Sequence, residues 1–442
     1  MNQVSVPKFF KFRNRESEIK NMAERFVIEG GRPLKGEIEV RGYKNAAGGV
    51  LAASLLCGED CIIDEIPLVS DVLGLLKILE KMGSRIEWLA KRRIKINNGK
   101  IDPQKLDFEE VQKSRISVLL IGPLLSRFKD FRFPHPGGDR IGLRPISTHI
   151  ISLKELGAQI SRKEEFYDFK AEKILGKEVV LKEFSVTATE NLMLAATLAQ
   201  GKTIIEMAAA EPQVEDTGKF LKEMGAKIEG LGTNQISIEG VKKLRGAEHK
   251  IIPDPLEAGT FIIASAITGG EVKIKNVIRK HLVSFLDKLE EIGVKFKNNS
   301  DNSLVVSKSE NFQSVKVQAL PFPGFPTDLI PPLIPLLTQS QGRSTIHDPL
   351  YENRLNFTQE LRKMGADIEL VDPHRAFIFG KTPLQGSRIE SWDIRAGASL
   401  IIAGLAAKGK TIIENISQID RGYERIEERL QKLGADIKRL KI

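Results

Sequence analysis

A short phrase recurs six times along the chain: the end of an amphipathic run, a glycine, a small residue and the start of a strand-like segment. The glycines, separated by 74, 68, 68, 72 and 69 residues, are Gly83, Gly157, Gly225, Gly293, Gly365 and Gly434. Glycine can end a helix because it enters the left-handed conformation without a Cβ penalty. The nearly constant period therefore predicts six copies of one α/β unit.

A second set of glycines divides the units internally. Helical apolar runs pass into β-rich segments at Gly58, Gly201, Gly270, Gly342 and Gly409, whereas the second unit has residues 128–133 at this place. Each unit is thus expected to run helix, strand, helix, glycine, strand, often with one further strand. The period exceeds the roughly 33–50 residues of helix-pair repeats and propeller blades, so the units should cluster into globular domains.

The composition is that of an ordinary globular chain with room for two domains. It has 442 residues, of which 41% are hydrophobic and 28% charged, and no apolar run approaches the ~20 residues of a membrane span. Residues 1–21 lack the apolar core of a secretory signal, and we interpret them as a loose extension or a misassigned start. Cys57 and Cys61 flank a helix-to-strand turn and are interpreted as buried thiols, which favours a cytoplasmic location.

The positive charge is spread along the chain rather than concentrated. The net charge is +9, but the sequence contains no lysine or arginine block and little aromatic interleaving. Nucleic-acid binding is therefore unsupported, whereas a cleft that gathers anionic small molecules would use the same excess of cations.

The first helix of each unit opens with polar residues and continues as a small, apolar body. The bodies at residues 50–56, 192–199, 261–267 and 399–407 have almost no polar face, which predicts helices buried at the centre of each domain. Buried helices whose N-termini point the same way place their positive dipole ends at one surface. Two such surfaces, one for each three-unit domain, predict a cleft suited to phosphates and carboxylates.

Some polar residues at these helix starts fit the role of a helix cap, whereas two arginines do not. Thr187 and Glu190 have the spacing of a capping box, and Asp254 precedes a proline as an N-cap would, so we interpret them as caps rather than catalysts. Arg115 and Arg395 differ, because a cation at a helix start opposes the dipole. Their matching positions in the two halves predict that an anion binds between them.

Several longer motifs resemble those of the enolpyruvyl transferases, from about Phe26 to Leu440. The nearest branch acts on UDP-N-acetylglucosamine; the Lys-Ser motif of the branch that acts on shikimate 3-phosphate is replaced here by Lys44-Asn45. The motifs are Lys44-Asn45-Ala46-Ala47, Pro136-Gly137-Gly138, Ile141-Gly142, Arg144-Pro145, Pro326-Thr327-Asp328, Glu352-Asn353-Arg354, Asp393-Ile394-Arg395-Ala396 and Ile419-Asp420-Arg421-Gly422-Tyr423-Glu424.

The resemblance implies a fold of two inside-out α/β domains, each built of three repeated units, with the active site in the cleft between them. Because the family's first strand belongs to the C-terminal domain, we expect one domain at residues 44–252 and the other at residues 22–43 and 253–442.

The activity implied by the resemblance is transfer of the enolpyruvyl group of phosphoenolpyruvate to the 3′-hydroxyl of UDP-N-acetylglucosamine. This transfer releases phosphate and is the first committed step of peptidoglycan synthesis. We expect no cofactor, no metal, no nucleic acid, no membrane and no required protein partner.

The same motifs imply the residues of the site. Phosphoenolpyruvate would be held by Lys44, Arg144 and Arg421, with Arg354 and Arg395 completing the cluster from the other domain. Asn45 and Arg115 are expected to meet the sugar nucleotide, and the further residues expected to bind substrate are Pro145, Ile146, Ser185, Val186 and Leu350. Asp328 would take or orient the hydroxyl proton, a role compatible with an N-cap position. Lys44, Arg421, Asp328 and Asp139 form the expected catalytic set.

Asp139 is the largest departure from the family's pattern, because the family usually has a cysteine at this place in a mobile loop. That cysteine serves as an acid and forms adducts with phosphoenolpyruvate and with an epoxide antibiotic. Aspartate can donate a proton but makes no stable thioether, and some family members carry it.

Other departures concern mainly the sugar-nucleotide side. Glu183 falls where the family has a uridine-contacting lysine, Pro255 replaces an arginine, and Ser147 stands near a missing aspartate. Arg41 and Tyr43 replace small residues beside Lys44. Two alternatives therefore stay open: an enolpyruvyl transferase with another hydroxylated acceptor, and a non-catalytic relative that keeps the fold.

Overall fold

The computed structural model describes residues 24–139 and 141–441. The expected loose extension, residues 1–21, lies outside this range. The described residues form 23 strands, 14 α-helices and four short 3-10 helices. Within this range no helix has the length and apolar character needed to cross a membrane.

The strands, in chain order, are β1 (Glu24–Glu29), β2 (Lys35–Glu39), β3 (Asp60–Asp64), β4 (Arg85–Ala90), β5 (Arg93–Asn97), β6 (Asp130–Pro134), β7 (Gln159–Arg162), β8 (Phe166–Lys170), β9 (Glu178–Val180), β10 (Lys202–Glu206), β11 (Lys227–Glu229), β12 (Gln235–Glu239), β13 (Glu248–Lys250), β14 (Glu271–Lys275), β15 (Phe296–Asn298), β16 (Leu304–Val306), β17 (Lys316–Gln318), β18 (Gly342–His347), β19 (Asp367–Asp372), β20 (Arg375–Gly380), β21 (Arg388–Glu390), β22 (Lys410–Glu414) and β23 (Asp436–Lys441).

The α-helices are α1 (Lys44–Ser54), α2 (Ser70–Met82), α3 (Phe108–Lys113), α4 (Ile121–Arg127), α5 (Ser147–Glu155), α6 (Val186–Ala196), α7 (Pro212–Glu223), α8 (Pro255–Ile267), α9 (Val283–Ile292), α10 (Ile330–Leu337), α11 (Thr358–Lys363), α12 (Ile394–Ala406), α13 (Ser417–Asp420) and α14 (Ile426–Lys432). The 3-10 helices are Pro103–Lys105, Arg115–Leu120, Arg279–His281 and Thr327–Leu329.

The described strands form six small sheets, as expected for six repeated units. Their strand orders are β13-β3-β5-β4, β6-β8-β7, β11-β12-β10-β9, β15-β16-β14-β2, β17-β18-β20-β19 and β21-β22-β1-β23. In five of these sheets two strands next to one another in the chain pair antiparallel, and in the sixth sheet β1 pairs antiparallel with both β22 and β23. The sixfold α/β organisation predicted from the glycine period is therefore confirmed.

Strand pairing links the N-terminal strands to the C-terminal half. β1 lies between β22 and β23, and β2 pairs parallel with β14, whereas β13 pairs parallel with β3. The chain passes between the halves twice, and the two crossings lie side by side: the Tyr43 amide donates to the Ile252 carbonyl and the Asp254 amide to the Arg41 carbonyl, both at 2.8 Å. These pairings favour the expected domain boundaries, which stay a prediction.

The repeat glycines end their helices in the expected way. All six have a positive φ: 114° at Gly83, 100° at Gly157, 104° at Gly225, 94° at Gly293 and 92° at both Gly365 and Gly434. The second set is partly different. In the fourth unit Gly269, with φ of 63°, rather than Gly270 adopts the left-handed conformation, and Gly58 does not adopt it.

The apolar helices lie inside and the sheets outside. Nearly every residue of α1, α6, α8 and α12 is buried, as the sequence predicts. The strands instead alternate buried and exposed residues, as in β10, because one face of each sheet packs on the helices while the other faces solvent. Both halves are built this way: α1 packs on α7 and α4 on α6, while α10 packs on α8 and α12.

The cap predictions are only partly right. Asp254 caps α8 by accepting from the amides of Leu256 and Glu257 at 2.8 and 3.2 Å. The Thr187 capping box is wrong: Ser185 caps α6, and the carboxyl of Glu190 instead accepts from the hydroxyl of buried Thr217. Cys57 and Cys61 are buried free thiols, as expected, with sulfurs 3.7 Å apart.

The crossing of α4 and α6 depends on a glycine. The side chain of Asn191 accepts from the Gly122 amide at 2.6 Å and donates to the Val118 carbonyl at 3.0 Å. A Cβ at Gly122 would lie 2.3 Å from the Asn191 carbonyl oxygen. The two helix backbones therefore approach too closely for any side chain at this position.

We expect Gly122→Ala to lower the free energy of unfolding by about 1–3 kcal/mol, because the methyl group overpacks the helix crossing. The matched control is Gly74→Ala on α2, where a Cβ would meet nothing within 4 Å. That substitution should be neutral or stabilising by up to about 1 kcal/mol. Equal denaturation midpoints for the two variants would contradict the close crossing.

Candidate functional site

A cavity of about 710 Å³ lies between the two halves of the described chain. Its wall includes thirteen of the fourteen residues predicted for the site: Lys44, Asn45, Arg115, Asp139, Arg144, Pro145, Ser185, Val186, Asp328, Leu350, Arg354, Arg395 and Arg421. Ile146 is the exception; its side chain is buried at the start of α5 and does not line the cavity.

Helix starts converge on this cavity from both halves. α1 begins at Lys44, α6 at Val186 and α12 at Ile394, and a 3-10 helix begins at Arg115. Each start contributes residues to the cavity wall. Amide groups at the start of a helix carry partial positive charge, so they favour an anionic ligand together with the side-chain cations.

A buried aspartate that sequence reasoning missed organises two of the cations. Asp71, in the first turn of α2, accepts from Lys44 Nζ at 2.9 Å and from Arg421 Nε at 3.0 Å. Burial raises the pKa of Asp71, but the charges of Lys44 and Arg421 outweigh it and hold this pKa below its usual value. An acid in a first helical turn is common, so its sequence position gave no signal of this role.

Asp139 joins the same chain of ion pairs. Arg421 Nη1 donates to Asp139 Oδ1 and, at 3.0 Å, to Gln418. Arg421 therefore lies between two carboxylates, those of Asp71 and Asp139, which belong to the N-terminal half. The pKa of Arg421 is raised because these two charges exceed the effect of its burial. One arginine thus links the halves across the cavity.

Asp328 lies between two arginines of its own half. Its oxygens accept from Arg354 Nη2 at 2.8 Å and from Arg395 Nε at 3.1 Å. Burial disfavours the charged carboxylate, but Arg395 and Arg354 hold the pKa of Asp328 well below its usual range. No cap bond involves the Asp328 side chain, so the N-cap interpretation of this residue is wrong.

One hydrogen-bond donor of the Arg395 side chain is unpaired within the described residues. This side chain is 4% exposed and its guanidinium lies 5.4 Å from the centre of the Tyr423 ring. Its Nη1 is buried and has no hydrogen-bond partner within residues 24–139 and 141–441. A buried donor of this kind is costly unless a ligand atom completes it. This supports the predicted anion beside Arg395.

The loop around Asp139 is attached to the other half at two points. The Leu143 amide donates to Glu352 at 3.2 Å, and the Asn353 amide donates to the Ile141 carbonyl at 2.9 Å. Gly142, with φ of 148°, leaves room for the Glu352 carboxylate, which lies 2.0 Å from where its Cβ would be. These contacts hold Asp139 over the cavity.

Arg115 and Arg144 line the cavity beside this loop. Arg115 Nη2 donates to the Pro145 carbonyl at 3.1 Å, and Arg144 lies 5.8 Å from the centre of the Tyr351 ring. Burial, together with the charge of Arg144, lowers the pKa of Arg115 to about 10. Arg115 therefore remains charged at neutral pH.

The wall formed by α5 and the segment before α6 includes Glu183, one of the departures from the family's pattern. Thr148 Oγ1 donates to Glu183 at 2.8 Å, and His149 Nε2 lies 2.8 Å from Thr187 Oγ1. Burial, with a contribution from Arg115, lowers the pKa of His149 to about 3, so the imidazole is neutral. Glu183 places a carboxyl group on the same wall of the cavity.

A second buried acid lines the cavity from α6. Burial raises the pKa of Glu190 to about 8, which makes its carboxyl largely neutral at pH 7. Its hydrogen-bond partner, Thr217, lies on α7. Sequence reasoning treated Glu190 only as a cap and did not predict this position.

Comparison with known proteins supports the resemblance. Residues 28–430 match the family described as EPSP synthase (3-phosphoshikimate 1-carboxyvinyltransferase). The UDP-N-acetylglucosamine 1-carboxyvinyltransferase of Koribacter versatilis is 44% identical over 420 residues, covering 94% of this chain and 96% of that protein. The protein of the same description from Halothermothrix orenii is 44% identical over 417 residues, covering 94% of this chain and all of that protein.

Solved structures agree on the fold. The enolpyruvyl transferase NikO from Streptomyces tendae has a TM-score of 0.87 and 23% identity, over 96% of this chain and 100% of that one. An EPSP synthase from Acinetobacter baumannii has a TM-score of 0.72 and 21% identity, over 94% of this chain and 100% of that one. The α/β halves and the cation-lined cavity agree with these matches. The chain belongs to the enolpyruvyl transferase family and is a carboxyvinyltransferase.

Proposed function

We propose that this enzyme transfers the enolpyruvyl group of phosphoenolpyruvate to the 3′-hydroxyl of UDP-N-acetylglucosamine and releases phosphate. The reaction would be the first committed step of peptidoglycan synthesis and would take place in the cytoplasm. Support comes from relatives that carry this activity in their descriptions and are 44% identical to almost the whole chain. The observation that carries the proposal is one cavity lined by cations of both halves and by Asp328.

Phosphoenolpyruvate would bind in the part of the cavity nearest the ion-paired cations. Lys44, Arg144 and Arg421 would take its phosphate and carboxylate, and Arg395 would give its unpaired Nη1 to the same ligand. Charge-assisted hydrogen bonds from arginine are among the stronger polar contacts, and several of them are needed to hold a trianion.

The sugar nucleotide would occupy the adjoining wall. Asn45 and Arg115 would contact the sugar and the diphosphate, and the helix start at Ser185 and Val186 would offer amide groups to the nucleotide. Pro145 and Leu350 would bound this part of the cavity, since both line it. Ile146 would support the wall from behind rather than touch the ligand.

Addition of the acceptor needs a proton at C3 of phosphoenolpyruvate and a nucleophile at C2. Asp139 is proposed as the acid. Bound phosphoenolpyruvate would replace its carboxylate on Arg421 and bring negative charge beside it, which favours the protonated form. The proton moves to C3, the 3′-oxygen bonds to C2, and a tetrahedral ketal results.

Asp328 is proposed to orient the acceptor hydroxyl and to receive its proton as the C–O bond forms. Two arginines keep this carboxylate ionised, so it is aimed but only weakly basic, and the proton would reach it as the hydroxyl becomes acidic during attack. In the elimination a proton from C3 would return to the Asp139 carboxylate, the C–O bond to phosphate would break, and the proton held by Asp328 would pass to the departing phosphate, which leaves the enolpyruvyl ether. The cations stabilise the charge on the departing phosphate.

The second candidate is the same chemistry with another hydroxylated acceptor. Glu183, fixed by Thr148 at 2.8 Å, puts a carboxylate on the acceptor wall where the family is expected to have a lysine. A ligand that donates a hydrogen bond at this point would be favoured over one that presents a phosphate oxygen.

Phosphate release separates the two acceptors. With phosphoenolpyruvate alone we expect negligible release of phosphate. Addition of UDP-N-acetylglucosamine should start phosphate release, with one enolpyruvyl ether formed for each phosphate. Mass spectrometry would detect the ether. Binding without turnover, or release that is unaffected by this sugar nucleotide, would contradict the proposed acceptor and favour the second candidate.

The role of Asp139 is tested by two substitutions of similar size. Asp139→Asn fills the same volume but cannot supply a proton, so kcat should fall by about 10²–10⁴-fold. Asp139→Cys should retain activity and become covalently modified by a thiol-directed epoxide, whereas the unaltered enzyme should show no adduct by intact-mass measurement. Near-normal turnover of Asp139→Asn would place the acid elsewhere.

A further inference from the structure

Tyr43 is a cavity residue to which the proposed reaction assigns no role. It directly precedes Lys44 and Asn45, its side chain is 4% exposed, and it contributes to the cavity wall. The motif shared with the family begins only at Lys44, and a small residue is expected before it. A phenol at this place is therefore a feature of this chain.

Among residues 24–139 and 141–441 the hydroxyl of Tyr43 makes one hydrogen bond, and its partner is a predicted ligand-binding residue. Asn45 Nδ2 donates to it at 3.2 Å. An asparagine amide has two N–H donors and one carbonyl acceptor. With one N–H committed to Tyr43, the amide plane is oriented, and its second N–H and its carbonyl oxygen stay available to a ligand.

Tyr43 itself is held firmly, so it can serve as a fixed reference for Asn45. Its amide donates to the Ile252 carbonyl at 2.8 Å, and its carbonyl accepts from the Ala47 amide at 2.9 Å as the first turn of α1 begins. Burial, reinforced by the charges of Asp254 and Asp328, raises the pKa of Tyr43 well above its usual value. The phenol is therefore neutral and remains a hydrogen-bonding partner throughout the working pH range.

Tyr43 also lies where the two halves meet. Its hydrogen bond to Ile252 joins the two crossings of the chain, and Asn45, its side-chain partner, is on the first helix of the N-terminal half. A side chain that is anchored in this connection and reaches into the cavity can fix a ligand-binding amide before the ligand arrives. Preorganisation of this kind lowers the entropy cost of binding.

We propose that Tyr43 is a positioning residue for the acceptor: its hydroxyl orients the Asn45 amide for the sugar nucleotide. This inference rests on the proposed function, because it names the same acceptor. Within the described residues the Tyr43 hydroxyl makes no hydrogen bond to the side chains proposed to hold phosphoenolpyruvate, so its effect is on acceptor binding rather than on the chemical step.

The test is a pair of substitutions combined in a double-mutant cycle. Tyr43→Phe keeps the ring and removes only the hydroxyl. The KM for UDP-N-acetylglucosamine should rise roughly 2- to 10-fold, the loss of about one net hydrogen bond, while the KM for phosphoenolpyruvate changes far less. In an Asn45→Ala background, Tyr43→Phe should cause no further rise, since the amide it orients is gone. Thermal unfolding of each variant controls for damage to the fold.

Two results would overturn the role of Tyr43 alone. One is an unchanged KM for the sugar nucleotide in Tyr43→Phe; the other is an equal rise in the presence and absence of the Asn45 amide, which would mean that the hydroxyl acts through packing. A failure of the unaltered enzyme to turn over this acceptor would instead refute the proposed function and, with it, this inference.

Discussion

The ion pairs between buried cations and three aspartates are the interaction on which the site depends. Arg354 and Arg395 are almost completely removed from water, and an unpaired charge so placed would cost several kcal/mol. Asp328 offsets this cost by bonding both arginines. Asp71 and Asp139 do the same for Arg421, and Asp71 also pairs with Lys44. The cations are thereby fixed in place before any substrate binds.

The same ion pairs explain how an anionic substrate can replace a protein carboxylate on the cations. Asp71 is 5% exposed and belongs to the wall, whereas Asp139 lies on a loop whose backbone bonds to Glu352 and Asn353 of the other half. A ligand can displace a loop carboxylate more readily than a buried one. In the proposed reaction Asp139 would thus supply the negative charge on Arg421 until phosphoenolpyruvate binds and would then act as the acid.

The inside-out architecture serves this arrangement. Apolar helices occupy the centre of each half and sheets cover them, so the helix starts can reach the cavity while the helix bodies remain buried. Close crossings such as that of α4 and α6 require glycine, and helix ends require the left-handed glycines of the repeat. The repeat in the sequence is therefore a consequence of packing the same unit six times.

These constraints also decide how far the sequence could be interpreted. The helix-ending glycines and apolar helix bodies are local signals, so the sixfold organisation and the buried helices could be predicted. The predicted site residues were found by motif, and all but Ile146 line the cavity. Asp71 was missed because a first-turn acid is common in helices, and its meaning depends on Arg421, 350 residues away. The Thr187 cap failed because Ser185, two residues earlier, has the extended backbone that an N-cap needs.

The central claim is that cations of both halves form one binding site for phosphoenolpyruvate. The most direct measurement is kcat/KM for phosphoenolpyruvate in Lys44→Met and Arg395→Met, with Lys308→Met, a surface lysine paired to Glu310, as the control. The account predicts a fall of at least about 10-fold for each site variant, from the loss of a charged hydrogen bond, and no change for the control. If kcat/KM fell on removal of the cation from one half only, the two halves would not share the site and the account would be wrong.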